Sequence, residues 1–242
     1  MADKSFFIDT TKCTACRGCQ IACKQWNKNP GTKTLQRGNH QNPSDLSAST
    51  FKLVRFNEVE VPGGEPKWYF FPDQCRHCLT PPCKEVADGK AKGAIIQDEK
   101  TGAVIFSPRV RMKMEDFKEI REACPYDIPR ISETRIMRKC TMCFDRIKEG
   151  MLPACAKTCP TGAMSFGDRK EILEKANKRL EEVKGTYKEA MLANPDDIRV
   201  IYLLVDDPKK YHKTAVAANT IGITRKMALK RIFQPLRSLR VA

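Results

Sequence analysis

The chain has 242 residues, 41% of them hydrophobic and 30% charged, which allows one large or two small domains around a modest core. Its formal charge of +15 would attract acidic partners or nucleic acid, yet the basic residues are spread along the chain without a helix-turn-helix pattern or an aromatic-studded basic strand. The most apolar stretches, such as Ile201 to Val205, fall far short of the ~20 residues a membrane crossing needs, and Met1 to Thr10 lacks the basic-then-apolar order of a secretory leader.

In chain order, a short strand is predicted at Phe6 to Ile8. It leads into Cys13-x2-Cys16-x2-Cys19-x3-Cys23, the spacing of a bacterial 4Fe-4S loop in which three thiolates hold one cluster and the fourth reaches another. Partial alternation at Phe51, Leu53, Val59 and Val61, a turn at Pro62-Gly63-Gly64 and a return at Trp68 to Phe71 predict a hairpin. Next comes Cys75-x2-Cys78-x4-Cys83, with Ala87 where a further cysteine would complete the rhythm. A second hairpin joins Ala94 to Ile96 with Ala103 to Phe106 across Glu99 to Gly102. Residues 109–123 carry no cysteine; Met114, Phe117 and Ile120 there predict a helix over Met112 to Ala123, expected to fill the volume of a missing cluster.

Cys124-Pro125 follows, then Cys140-x2-Cys143-x11-Cys155-x3-Cys159-Pro160 and a strand at Ala163 to Phe166. A helix is predicted from Asp168, with Glu171 completing a capping box, Ile172, Leu173, Ala176, Leu180 and Val183 on one face and Gly185 as its interruption. Arg199 to Val205 reads as a strand. Beyond Asp207 the chain has no acidic residue but carries Lys209, Lys210, Lys213, Arg225, Lys226, Lys230, Arg231, Arg237 and Arg240, either a solvated face or an arm docking on a larger acidic subunit.

Exchange of the fourth thiolate between the first and last runs assigns Cys13, Cys16, Cys19 and Cys159 to one 4Fe-4S cluster and Cys23, Cys140, Cys143 and Cys155 to a second. The middle loop, Cys75, Cys78 and Cys83, then takes its fourth ligand from Cys124, the one cysteine left. Twelve cysteines thus give three 4Fe-4S clusters. Zinc ribbons also use Cys-x2-Cys pairs, but four thiols within eleven residues suit a cube with ligands on several corners better than one ion. A disulfide framework belongs to short secreted domains. His77, between two ligands, is expected to donate a hydrogen bond near the cluster or toward a partner, and Gly18 and Gly162 to let backbone approach sulfur. Lys12, Lys24, Lys139 and Lys157 are expected to tune reduction. No nucleophile-and-base motif, phosphate loop or nucleotide fingerprint is present, so no catalytic residue is assigned.

The first cysteine run, Cys75-Arg76-His77-Cys78-x2-Pro81-Pro82-Cys83, Cys124-Pro125-Tyr126 and the run from Cys140 to Pro160 resemble the four-cluster ferredoxin-type subunits of molybdopterin oxidoreductases, over residues 1–168. That family includes subunits of formate dehydrogenase, dimethyl sulfoxide reductase and polysulfide reductase. Ala87 and the cysteine-free segment are similar to the three-cluster small subunits of soluble tungsten- or molybdenum-dependent formate dehydrogenases of sulfate-reducing bacteria. The resemblance implies an electron-transfer subunit beside a large molybdopterin catalytic subunit with its own 4Fe-4S cluster, and a c-type cytochrome as acceptor. It also implies a periplasmic location, reached with a partner bearing the export signal; the signal-free chain alone would suggest the cytoplasm. The same role in a polysulfide, thiosulfate or dimethyl sulfoxide reductase is one alternative, and a zinc-dependent nucleic-acid-binding module is one of another class.

The expected fold is α+β: two ferredoxin-like units, one inserted in the other and short of one cluster, followed by a C-terminal helix and a basic tail. Residues 1–50 with 131–168 would bind two clusters, 51–130 one, and 169–242 would form the helical segment and docking tail.

Overall fold

The computed structural model describes residues 3–36 and 38–217. In chain order its elements are β1 (Lys4–Asp9), α1 (Gly18–Trp26), β2 (Leu53–Val59), β3 (Lys67–Asp73), α2 (Pro82–Asp88), β4 (Ile95–Gln97), β5 (Val104–Phe106), α3 (Met114–Glu122), β6 (Arg130–Ile131), β7 (Met137–Arg138), α4 (Phe144–Lys148), α5 (Ala154–Lys157), β8 (Met164–Asp168), α6 (Arg169–Lys184), β9 (Met191–Leu192), β10 (Val200–Leu204) and α7 (Pro208–Tyr211).

The main sheet has the order β8-β1-β10-β9. Its central strands are apolar on both faces, as strands covered on two sides must be. Phe6, Ile8, Val200, Tyr202 and Leu204 pack with Cys19, Cys155 and Met142 on one face. On the other, Phe7, Ile201 and Leu203 meet Ile172, Ala176 and Val183 of α6. The sheet therefore carries cysteine loops on one side and a covering helix on the other. β1 pairs antiparallel with β8 and parallel with β10, Phe6 opposite Val200. The strand expected at Arg199 to Val205 forms as β10 and is a buried neighbour of the first strand, so the segment after residue 168 joins the main sheet as well as supplying a helix.

Both predicted hairpins form. β2 and β3 pair from Leu53 opposite Asp73 to Val59 opposite Lys67, and β4 pairs with β5. The second turn requires glycine. Gly102 has φ +71°, and a Cβ there would lie 1.9 Å from Arg199 Nε. Arg199 in turn donates to the Cys78 carbonyl at 2.9 Å, so this turn braces a cysteine loop. Helix α3 directs Phe117 and Ile120 into a core with Ala87, Ala94, Ile95, Met112 and Met137 that also contains Cys83.

One local expectation differs. Asp168 stands at the N-cap of α6, but its side chain makes no cap hydrogen bond; Lys4 across the β1–β8 pair takes the carboxylate instead. A Cβ at Gly162, where φ is +65°, would meet nothing within 4 Å, and a Cβ at Gly18 would meet Cys16 Sγ at an ordinary 3.6 Å. Gly162 supplies a left-handed backbone that glycine adopts without steric cost.

Past β10 the chain turns through α7 onto the hairpin, where Tyr211 stacks edge-on against Tyr69. His212 follows. Burial, with Arg55 and Arg76 nearby, lowers its imidazole to about 4, and its Nδ1 faces the Thr214 hydroxyl at 2.8 Å. An imidazole neutral when folded and protonated at about 6.5 when unfolded makes stability fall as pH drops from about 6.5 toward about 4. His212→Gln should flatten that part of the anaerobic stability–pH profile. Of the basic tail, Arg225, Lys226, Lys230, Arg231, Arg237 and Arg240 lie outside the described residues. No helix among the described residues is long and apolar enough to cross a membrane.

Candidate metal centres

The twelve cysteines are free thiols arranged around three cavities. Cys13, Cys16, Cys19 and Cys159 line a cavity of about 330 Å³ beneath β8 and the first loop, with Val54, Pro72 and Met164. Cys23, Cys140, Cys143 and Cys155 line a second, of about 270 Å³, with Phe6, Lys52 and Gln74. Cys75, Cys78, Cys83 and Cys124 line a third, of about 340 Å³, with Arg76, Tyr126 and Lys139. Each set of four grouped by sequence spacing is thus brought together. Among the described residues no three Cys, His, Asp or Glu side chains converge as the ligands of one metal ion would. The thiols stand apart around each cavity, which suits a group presenting several metal corners.

Local backbone geometry makes these loops. In the turns that open at Cys13, Cys75 and Cys140 the residue before the second cysteine is left-handed, with φ 54° at Ala15, 47° at His77 and 63° at Met142. Non-glycine residues rarely adopt this conformation, and it costs on the order of 1–3 kcal/mol. It turns backbone N–H toward sulfur: His77 N donates to Cys75 Sγ and Met142 N to Cys140 Sγ, each at 3.4 Å. Ala15 does the same for Cys13, where burial nevertheless pushes the thiol up to about 11.

Burial dominates the thiols generally. It raises Cys140 to about 12, with Cys75 adding to the rise and Lys139 opposing it, and Cys124 to about 11, against N–H donation from Ile128 and Tyr126. Thiolates in these sites require a positive group in the cavity, which metal supplies. A second observation fits an electron-rich occupant. The Gln74 amide nitrogen is buried and has no hydrogen-bond partner among the described residues, and Gln74 lines the second cavity. Cluster sulfur would provide the acceptor it lacks.

The cavities lie in series. Cys23 and Cys140 share an apolar cluster with Cys75, Cys78 and Cys124, whereas Cys155 shares another with Cys19 and Cys159. The Cys23 quartet is therefore the middle one. At the two ends, Cys13 borders an open groove of about 890 Å³ with Trp68, Tyr69 and Tyr187, and Cys124 borders a surface depression with Lys118, Arg121 and Asp127.

Of the charged residues expected near the cavities, Lys139 is buried, donates to the Cys140 carbonyl at 2.9 Å and lines the third cavity. Lys24 is tied to Ser49 O beside Cys23. Lys12 pairs with Asp9 at 4.0 Å and Lys157 is exposed. His77 accepts the Val104 N–H at Nδ1 at 3.0 Å, and burial keeps the imidazole neutral, so its proton sits on Nε2, a buried donor with no partner among the described residues.

The sequence reading missed Lys52, Gln74 and a chain of buried charges. Arg76, inside the Cys75–Cys78 turn, pairs with Asp73 at 2.7 Å; Asp73 also takes Arg55 at 2.7 Å, and Asp45 links Arg55 to Arg130. Burial works to raise the Asp73 carboxyl, but Arg76 and Arg55 hold it below its ordinary value. The Arg76 guanidinium also lies 4.9 Å from both the Tyr126 and Tyr202 ring centres. Its only signal in the sequence was its place between two cysteines.

This site and fold define a ferredoxin-type iron–sulfur protein, and residues 66–169 match the family model described as a 4Fe-4S dicluster domain. The chain is 54% identical over 215 residues to the formate dehydrogenase subunit beta of Megalodesulfovibrio gigas, covering 88% of this chain and 99% of that one. It is 52% identical to the formate dehydrogenase 2 subunit beta (cytochrome c-553) of Nitratidesulfovibrio vulgaris, covering 88% and 98%. Against the nitrate-inducible formate dehydrogenase iron–sulfur subunit of Escherichia coli the identity is 37%, covering 87% and 72%. The chain belongs to the family of formate dehydrogenase iron–sulfur (beta) subunits.

Proposed function

We propose that this chain conducts electrons from a formate-oxidising molybdopterin subunit to a cytochrome-type acceptor, using three 4Fe-4S clusters held by the three cysteine quartets. When bound, each cluster supplies a site that accepts and releases single electrons. The observation that carries the reading is the serial arrangement of the three four-thiol cavities, the end ones bordered by surface at Cys13 and Cys124. Cys13, Cys16, Cys19 and Cys159 hold the first cluster; Cys23, Cys140, Cys143 and Cys155 the second; Cys75, Cys78, Cys83 and Cys124 the third. The left-handed turns aim N–H groups at the sulfurs, and such donors favour the more negative, reduced state.

The catalytic partner, with tungsten or molybdenum and one further 4Fe-4S cluster, supplies the substrate chemistry, for which this chain has no assigned residue. A c-type cytochrome as acceptor agrees with the name of the N. vulgaris relative. We place the complex in the periplasm, exported beside a signal-bearing partner. The basic charge serves protein docking and not nucleic-acid binding. The experiment is purification of the native complex followed by formate-dependent dye reduction. Formate should reduce the dye and elicit the reduced-cluster paramagnetic signals; silence with formate and turnover with a sulfur compound or an N-oxide would assign the same role to a different oxidoreductase.

A further inference from the structure

Lys52 is the most deeply buried lysine among the described residues. It is 1% exposed, its Nζ lies 2.6 Å from Gln74 Oε1 and 3.3 Å from the Pro72 carbonyl, and no carboxylate pairs with it among the described residues. A cation taken out of water without a carboxylate needs other negative charge nearby. The groups that bear on it are the thiols Cys19, Cys155 and Cys140 and the Tyr202 phenol. These thiols belong to the first and middle quartets.

Gln74 completes the arrangement. It is wholly buried, and because Lys52 donates to Oε1 the other terminus must be the NH2 group, which has no acceptor among the described residues. Both residues line the middle cavity. A neutral network would leave neither group in this condition, since each buried donor needs an acceptor.

We propose that Lys52 and Gln74 form a potential-setting dyad for the middle cluster: the ammonium anchors the amide through Oε1, which presents Nε2–H to cluster sulfur and places a fixed positive charge beside the first and middle centres. The dyad rests on the three-cluster reading and adds to it the direction in which the middle centre's potential is set. Positive charge and N–H donation stabilise the extra electron, so the middle centre is easier to reduce than the same ligand set would be without them. Lys139 gives the third centre its own cation, so that centre does not depend on the dyad.

The test is a redox titration of the intact complex followed by electron paramagnetic resonance, with signals assigned by single ligand substitutions. Lys52→Met should make reduction of the middle centre at least tenfold less favourable, about 59 mV for one electron. It should shift the Cys13 quartet in the same direction and leave the Cys75 quartet unmoved. Gln74→Leu should shift the middle centre alone, and Lys52→Arg should restore most of the Lys52→Met loss. Fully loaded variants with unmoved midpoints, or three equal shifts, would overturn the dyad. Should the variants fail to assemble, the wild-type complex decides: side-chain isotope-labelled glutamine should show nitrogen hyperfine coupling in the middle-centre signal, and no coupling overturns the amide's role. A wild-type complex without any middle-quartet signal would instead refute the cluster reading itself, and the dyad with it.

Discussion

Cys124→Ala should remove one of three paramagnetic centres and about four of about twelve irons per chain, leaving the other two signals in place. The expectation follows from where Cys124 stands. It is the one thiol of its cavity that comes from outside the Cys75–Cys83 loop, and it follows α3, the helix that occupies the cysteine-free segment. Burial raises its thiol, and N–H groups of Ile128 and Tyr126 point at the sulfur, as expected of a ligand held by its own turn. The selective loss is informative because Cys124 lines the third cavity and neither of the other two quartets' cavities. Cys124→Ser, with an oxygen in place of sulfur, should retain a converted centre of altered signal. Iron analysis with quantified spin integration checks both variants; three unchanged signals in Cys124→Ala would remove it from the ligand set.

Arg76→Met should destabilise the protein by roughly 3–5 kcal/mol, the usual cost of removing one member of a buried ion pair. Arg76 and Asp73 are both fully buried, 2.7 Å apart. Methionine would preserve volume against Phe71, Tyr126 and Tyr202 but lose the cation over their rings. Asp73 would keep Arg55 as its sole cationic partner. Adding Asp73→Asn should return part of the loss, because it removes the charge left exposed to a low-dielectric interior. Anaerobic urea midpoints of the single and double variants measure this; a single variant within about 1 kcal/mol of wild type would show that the aromatic cage, not the ion pair, holds the loop.

The cysteine grouping was legible because it depends on local spacing. Three residues between Cys19 and Cys23 fix which sulfur leaves its own loop, and Ala87 marks the middle loop as one that donates nothing outward. The hairpins were legible for a similar reason, as alternation and turn residues lie within a few positions of each other. The pairing of β1 with β10 was not, since Phe6 and Val200 meet only after the whole intervening chain has folded. Lys52 and Gln74 were invisible for the same cause. In a chain with 44 lysines and arginines a single lysine carries no signal; its burial arises when the β2–β3 hairpin lays it beneath the cysteine loops. Asp168 shows the converse. Its local pattern satisfied a capping box, but Lys4 across the sheet offered a full charge and won the carboxylate.

The central claim is that three quartets of sulfur, drawn from distant parts of one chain, each hold a four-iron cube. Anomalous diffraction at the iron edge on the native complex tests it directly. Three cube-sized iron peaks are expected within this chain, centred in the Cys13, Cys23 and Cys75 cavities, with the Cys23 peak between the others. Two peaks, four peaks, single-ion zinc sites or a cube held by any mixed set of these cysteines would contradict it.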